Sequence, residues 1–73
     1  MFKLTETEEF DKNYCYCEEY NDYKSAYSRM LEMYREVAIE GNSEAIECAE
    51  IYERSAFVEL NNGNVIEWDI EEF

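Results

Sequence analysis

The chain has 73 residues, with 19 Asp and Glu against six Lys and Arg, a net charge of −13 at pH 7. Disordered acidic tails are poor in aromatics, whereas here 47% of residues are apolar and 16% aromatic, so the composition is that of a folded domain. The acidity argues against direct binding to DNA, RNA or anionic lipid, which needs clustered Lys and Arg, and no apolar run approaches the ~20 residues of a membrane span.

This length makes one domain, residues 1–73, near the lower limit for a self-sufficient core. Cys15, Cys17 and Cys48 are an odd set, which argues against a disulfide framework, and His is absent. Met1-Phe2-Lys3-Leu4 runs straight into Thr and Glu without the pattern of a secretory signal, so a reduced, cytoplasmic protein is expected.

In chain order, Phe2 and Leu4 alternate with polar residues, Asp11-Lys12-Asn13 is a turn candidate, and Tyr14-Cys15-Tyr16-Cys17 is rich in strand formers. A hairpin pairing roughly 2–9 with 14–19 is predicted. From Asp22 to Glu40, Tyr23, Ala26, Tyr27, Met30, Leu31, Tyr34, Val37 and Ala38 recur on one helical face. Asn21 or Asp22 can cap this helix, and Gly41 is placed to end it. Asn42-Ser43 offers a second N-cap, and Ala45, Cys48 or Ala49, and Tyr52 make a stripe that predicts a shorter helix over about 43–54.

The period then changes to alternation. Ser55–Leu60 and Val65–Ile70 flank Asn61-Asn62-Gly63-Asn64, and Asn-Gly between such runs is a strong hairpin signal. A two-residue Asn62-Gly63 turn sets Leu60 opposite Val65 and Phe57 opposite Trp68. Phe57, Ile66, Trp68 and Ile70 then face the core, and Glu67, Asp69 and Glu71 share the other face with Val58 and Leu60; a slip of one residue reverses the assignment. The expected architecture is α+β: an antiparallel sheet of two hairpins on one long helix plus a short second helix, in the order ββααββ.

Little in the chain points to catalysis. Its serines sit in no nucleophile motif, and abundant carboxylates single out no pair for acid–base work. Cys15-Tyr16-Cys17 lacks the second ligand pair of a structural zinc site, no calcium loop is present, and the cysteines read as small, partly buried apolar residues. No metal or cofactor is expected. Tyr23, Tyr27 and Tyr34 read as core, while Tyr14, Tyr16 and Tyr20 are candidates for an exposed interface.

The acids form patterns. Alternate strand residues lie ~6.6–6.8 Å apart, so Glu67, Asp69 and Glu71 make a row of carboxylates spaced like successive phosphates of a DNA strand. Glu6 and Glu8 offer a shorter row, and Glu44, Glu47, Glu50 and Glu53 wind around the predicted second helix, with Glu40 before them. From Glu36 to Phe73 there are eleven acids and a single base, Arg54.

In size, charge and residue pattern the whole chain resembles the small acidic α+β proteins of bacteriophages and mobile elements that inhibit host defence nucleases. These are the DNA-mimicking anti-restriction, anti-CRISPR and glycosylase-inhibitor proteins. The resemblance implies a non-enzymatic inhibitor whose carboxylates replace phosphates in the basic, nucleic-acid-binding cleft of a host protein. The residues read as its contacts are Glu44, Glu47, Glu50, Glu67, Asp69 and Glu71, supported by Glu40, Glu59 and Glu72. A different reading is a protein-interaction module that uses Tyr14, Tyr16, Tyr20 and exposed aliphatics without mimicking DNA; a binder of metal or small ligand through the cysteines is a third. A homodimer would double the charged surface.

Overall fold

The computed structural model describes residues 1–39 and 46–73. Two strands, β1 (Phe2–Glu8) and β2 (Cys15–Tyr20), precede a helix, α1 (Tyr23–Ala38), and three strands follow: β3 (Ile46–Ile51), β4 (Ser55–Leu60) and β5 (Val65–Glu72). All pair antiparallel in one five-stranded sheet of order β2-β1-β5-β4-β3. β2 and β3 are therefore opposite edges, and α1 must carry the chain from one to the other. Four inter-strand steps of ~4.8 Å separate the edges by about 19 Å, and a helix rising ~1.5 Å per residue over its 16 residues spans about 24 Å. It crosses one face of the sheet, and nothing among the described residues covers the other.

α1 begins where the pattern predicts. The Asp22 side chain accepts from the Ser25 backbone N–H at 2.7 Å, which caps the first turn. Ala26, Met30 and Met33 are its buried residues, and Tyr23, Tyr27, Tyr34, Val37 and Ala38 pack around them. On the sheet side they meet Leu4, Ala56, Val58, Trp68 and Ile70, all buried. Trp68, on central strand β5, is 1% exposed and meets Tyr34 edge-on at 6.2 Å between ring centroids. Gly41 and the Asn42-Ser43 cap lie outside the described residues.

The predicted second helix is not formed. Ile46–Ile51 is an edge strand paired with β4, and the order is ββαβββ rather than ββααββ. The misreading has a local cause. Ile46 pairs with Leu60 and Cys48 with Glu59, so Glu47 is an extra residue in a β-bulge. The bulge puts Ile46 and Ala49, three apart, on the same face as Ile51. The helical stripe of Ala45, Cys48 or Ala49, and Tyr52 does not form: Ala49 packs against the core, Cys48 and Tyr52 are exposed, and Ala45 lies outside the described residues. Partners on β4 override the helix propensity of Glu and Ala, as Ala49 opposes Val58 and Ile51 opposes Ala56.

The last hairpin forms with its register slipped by one residue. Phe57 opposes Glu67, Val58 opposes Ile66 and Glu59 opposes Val65. Val58 is fully buried and Leu60 packs against the core, whereas Phe57 turns to the bare face, the reverse of the two-residue-turn reading. A two-residue type I′ turn needs positive φ at both Asn62 and Gly63. Only Gly63 has it, at 94°. Leu60 N–H donates to the Asn64 carbonyl (2.8 Å) and Gly63 N–H to the Leu60 carbonyl (3.0 Å), so the loop is three residues with glycine in its left-handed position.

Asn64 then becomes a buried polar pin, 8% exposed. Its Oδ1 accepts from Phe10 N–H (3.0 Å), its Nδ2 donates to Glu8 (2.9 Å), and its own N–H donates to Asn62 Oδ1 (2.9 Å). These bonds tie the end of β1 to the β4–β5 turn. Removing the amide breaks two part-buried hydrogen bonds, to Phe10 N–H and to Glu8, so Asn64→Ala should cost about 1 kcal/mol or more, read as a lower urea midpoint at unchanged m-value. Gly63→Ala should also destabilise, because alanine is strained at that φ.

The bare acidic face of the sheet

Period-two alternation divides every strand between the helix and the bare face. The cross-strand register lays the bare side out in rows. One runs Glu19, Lys3, Glu71, and the next Cys17, Thr5, Asp69, Ser55. A third runs Cys15, Thr7, Glu67, Phe57, Glu50, and the last holds Val65, Glu59 and Cys48. Among the described strand residues, six carboxylates therefore share this side with one cation, Lys3, which sits in register between Glu19 and Glu71. A shallow groove of about 490 Å³ crosses its centre, floored by Thr5, Thr7, Ser55 and Phe57 and edged by Glu67, Asp69 and Glu71.

The other cations lie outside the strands. Lys24, Arg29 and Arg35 are on α1, Lys12 is in the β1–β2 connection and Arg54 in the β3–β4 connection. Arg29 pairs with Glu32 at 2.6 Å on the helix, and Lys12 pairs with Glu9 at 2.8 Å beside Thr7, Val65 and Glu67, at one end of the bare face. Arg54 stacks 6.0 Å from the ring centroids of Phe2 and Tyr23 and approaches Glu72 at 3.9 Å.

Of the predicted contacts, the sheet brings Glu50, Glu59, Glu67, Asp69 and Glu71 together on the bare face. Glu67, Asp69 and Glu71 form the expected row on β5. Glu72 belongs to the helix side by alternation and lies beside Arg54. Glu47 is exposed at the bulge, and Glu40 and Glu44 lie outside the described residues. Glu19 was missed, although its alternation with Cys15 and Cys17 could have placed it. The winding helix of glutamates does not exist, since Glu47 and Glu50 are on strand β3.

Glu6 and Glu8 make no second free row. Both point toward the helix side, where Glu6 accepts from the Tyr14 hydroxyl and from Trp68 Nε1, each at 2.6 Å, and Glu8 accepts from Asn64. The bond to Glu6 pushes the Tyr14 phenol up to about 12. Burial, reinforced by Glu18, pushes Tyr20 up to about 12 as well. The Tyr16 hydroxyl donates to Glu18, raising its own pKa and lowering that of the carboxyl. Tyr14, Tyr16 and Tyr20 are thus half-buried and partnered rather than an exposed platform.

The thiols are exposed, not partly buried in the core as their composition suggested. Cys15 and Cys17, two apart on β2, share the bare face at one edge, and Cys48 lies on the opposite edge strand. Among the described residues no three His, Cys, Asp or Glu side chains converge as a metal site, and no helix is long and apolar enough to cross a membrane. No protein-family model, curated protein or solved structure matches the chain. Chemically, the bare face is rich in acceptors: its ionised carboxylates donate no hydrogen bonds, and donors stand among them at Lys3 and the hydroxyls of Thr5, Thr7 and Ser55.

The tyrosines provide a test of this geometry. Their folded pKa values lie above the ordinary value of about 10, so the stability they contribute is complete below about pH 10 and is lost as pH rises through about 12. Tyrosinate absorbance should show phenols titrating above the ordinary value, Tyr14 and Tyr20 as late as about 12, and Tyr14→Phe should remove one of these late steps.

Proposed function

We propose that the protein is a non-enzymatic inhibitor that seats its bare sheet face in the basic, nucleic-acid-binding cleft of another protein, such as a defence nuclease. One observation carries the reading: the carboxylates and the cations are segregated. Among the described residues the bare face has six carboxylates and a lone strand lysine, while three cations sit on the helix and two in the connections, where Lys12, beside Glu67, already pairs with Glu9. A charge magnitude of about 2–8 serves solubility in a small domain, and solubility does not require sorting by face. The β5 row supplies the phosphate-like spacing, and all six groups lie on one face of one sheet, where a single partner can meet them.

Phe57 adds an aromatic surface in the same row as Glu67 and Glu50, where an arginine of the partner can stack and pair together. Steering by the field makes association fast and salt-sensitive. This function places the protein in the cytoplasm of the cell that holds its target. The reading through Tyr14, Tyr16 and Tyr20 is less favoured, because hydroxyls of that group already donate to Glu6 and Glu18.

Tagged protein incubated with bacterial lysate containing defence nucleases should retain a DNA-binding protein that excess duplex DNA releases at low salt. Reversal by Glu67→Lys with Asp69→Lys should weaken that complex about tenfold or more, about 1.4 kcal/mol, while leaving the fold intact. A partner held equally by both forms, and resistant to DNA and salt, would remove the bare face from the interface.

A further inference from the structure

The sheet has two edges, and they are not alike. β3 is interrupted by the bulge at Ile46/Cys48, the device that blunts an edge against further pairing. β2 pairs with β1 without interruption from Phe2–Tyr20 to Thr7–Cys15 and contains no lysine, proline or bulge. Its outer backbone groups can be assigned. Phe73 N–H donates to the Met1 carbonyl and Glu9 N–H to the Val65 carbonyl, both at 2.9 Å. Odd-numbered residues of β1 therefore bond toward β5 and even-numbered ones toward β2. On β2 this commits Tyr16, Glu18 and Tyr20 inward and turns the N–H and C=O of Cys15, Cys17 and Glu19 outward.

We infer that β2 is a self-association edge, pairing antiparallel with β2 of a second copy about a two-fold axis at Cys17. Hydrogen-bond parity allows only registers in which outward residues meet outward residues. Centring on Glu18 sets Glu18 opposite Glu18, a like-charge pair that is disfavoured. Centring on Tyr16 runs β2 off its end into the turn at Lys12 and Asn13. Centring on Cys17 keeps Cys15–Glu19 paired in both copies, with Cys17 facing Cys17, Glu18 facing Tyr16 and Glu19 facing Cys15. No carboxylate then faces another.

The two-fold axis is perpendicular to the sheet, so ten strands form one continuous sheet with both helices behind it and both bare acidic faces in front. The charge of −13 per copy opposes this association, and the opposition is short-ranged at physiological ionic strength, where screening acts over ~8 Å.

The register makes a test specific to one cysteine. Directly opposed residues lie about 5.5 Å apart, whereas Cys15 is displaced from its counterpart by four residues, about 13 Å along the strand. In the single-cysteine proteins, dibromobimane should bridge two chains through Cys17 (C15S with C48S) and not through Cys15 (C17S with C48S) or Cys48 (C15S with C17S). Light scattering of the unmodified protein at physiological salt should give twice the chain mass of 8.8 kDa.

Cys17→Pro removes an outward N–H that the monomer does not use, so it should restore the single-chain mass while near-ultraviolet dichroism from Trp68 persists. Should that variant fail to fold, Cys17→Lys sets two lysines face to face and must have the same effect on mass. A single-chain mass for the parent at every concentration, or equal bridging through all three cysteines, would overturn the inference, as would a dimer that survives Cys17→Lys.

Discussion

One helix on one side of five strands is the constraint from which the rest follows. Because α1 must link opposite edges of the sheet, it lies across a single face, and nothing among the described residues covers the other. Each strand therefore has to sort its residues by parity. The core takes Leu4, Ala56, Val58, Trp68 and Ile70, and everything that alternates with them must tolerate water. In a chain this acidic, most of the charged residues that alternate with the core are carboxylates, set among Thr, Ser, Cys and Phe57.

The core face is not purely apolar, and its polar exceptions are all engaged. Glu6 sits between Trp68 Nε1 and the Tyr14 hydroxyl, and Asn64 satisfies Phe10, Glu8 and Asn62 around it. No buried side-chain polar atom among the described residues lacks a partner. Such networks add little net stability compared with apolar packing, but each member is costly to orphan. They fix which residue of β1 lies beside which residue of β5. Register thus rests on directional bonds as well as on apolar burial, and register decides which carboxylates reach the bare face.

Much of this was legible in the residues. The long helix and its Asp22 cap follow from period and capping chemistry, and the first hairpin from alternation around Asp11-Lys12-Asn13. The β5 acid row follows from alternation alone and survives the register slip, because parity within a strand does not depend on its partner. Two features were illegible for definite reasons. The bulge at Glu47 inserts a residue that turns a strand's spacing of two into three at Ile46 and Ala49. The choice between a two- and a three-residue loop at Asn61-Asn62-Gly63 depends on the φ of Asn62, which asparagine leaves open. That one angle exchanged Phe57 for Val58 and Leu60 between core and surface, and so put an aromatic ring among the acids.

An uncovered sheet face is also a hazard, and charge is the ordinary protection against stacking of such faces. That duty alone could account for polar residues there. It cannot account for their sign. Lysine protects a strand as well as glutamate does, and a mixture of the two costs less in self-repulsion than a single sign. Here the cations are present in the chain but placed on α1 and in the connections, where Arg29 and Lys12 are spent on local acids. Among the strand residues Lys3 alone breaks the field, between two carboxylates that outnumber it. A fold that gathers like charges on one face of its sheet, with most of its cations on the helix and in the connections, bears a self-repulsion that salt screens and that a basic partner would relieve further.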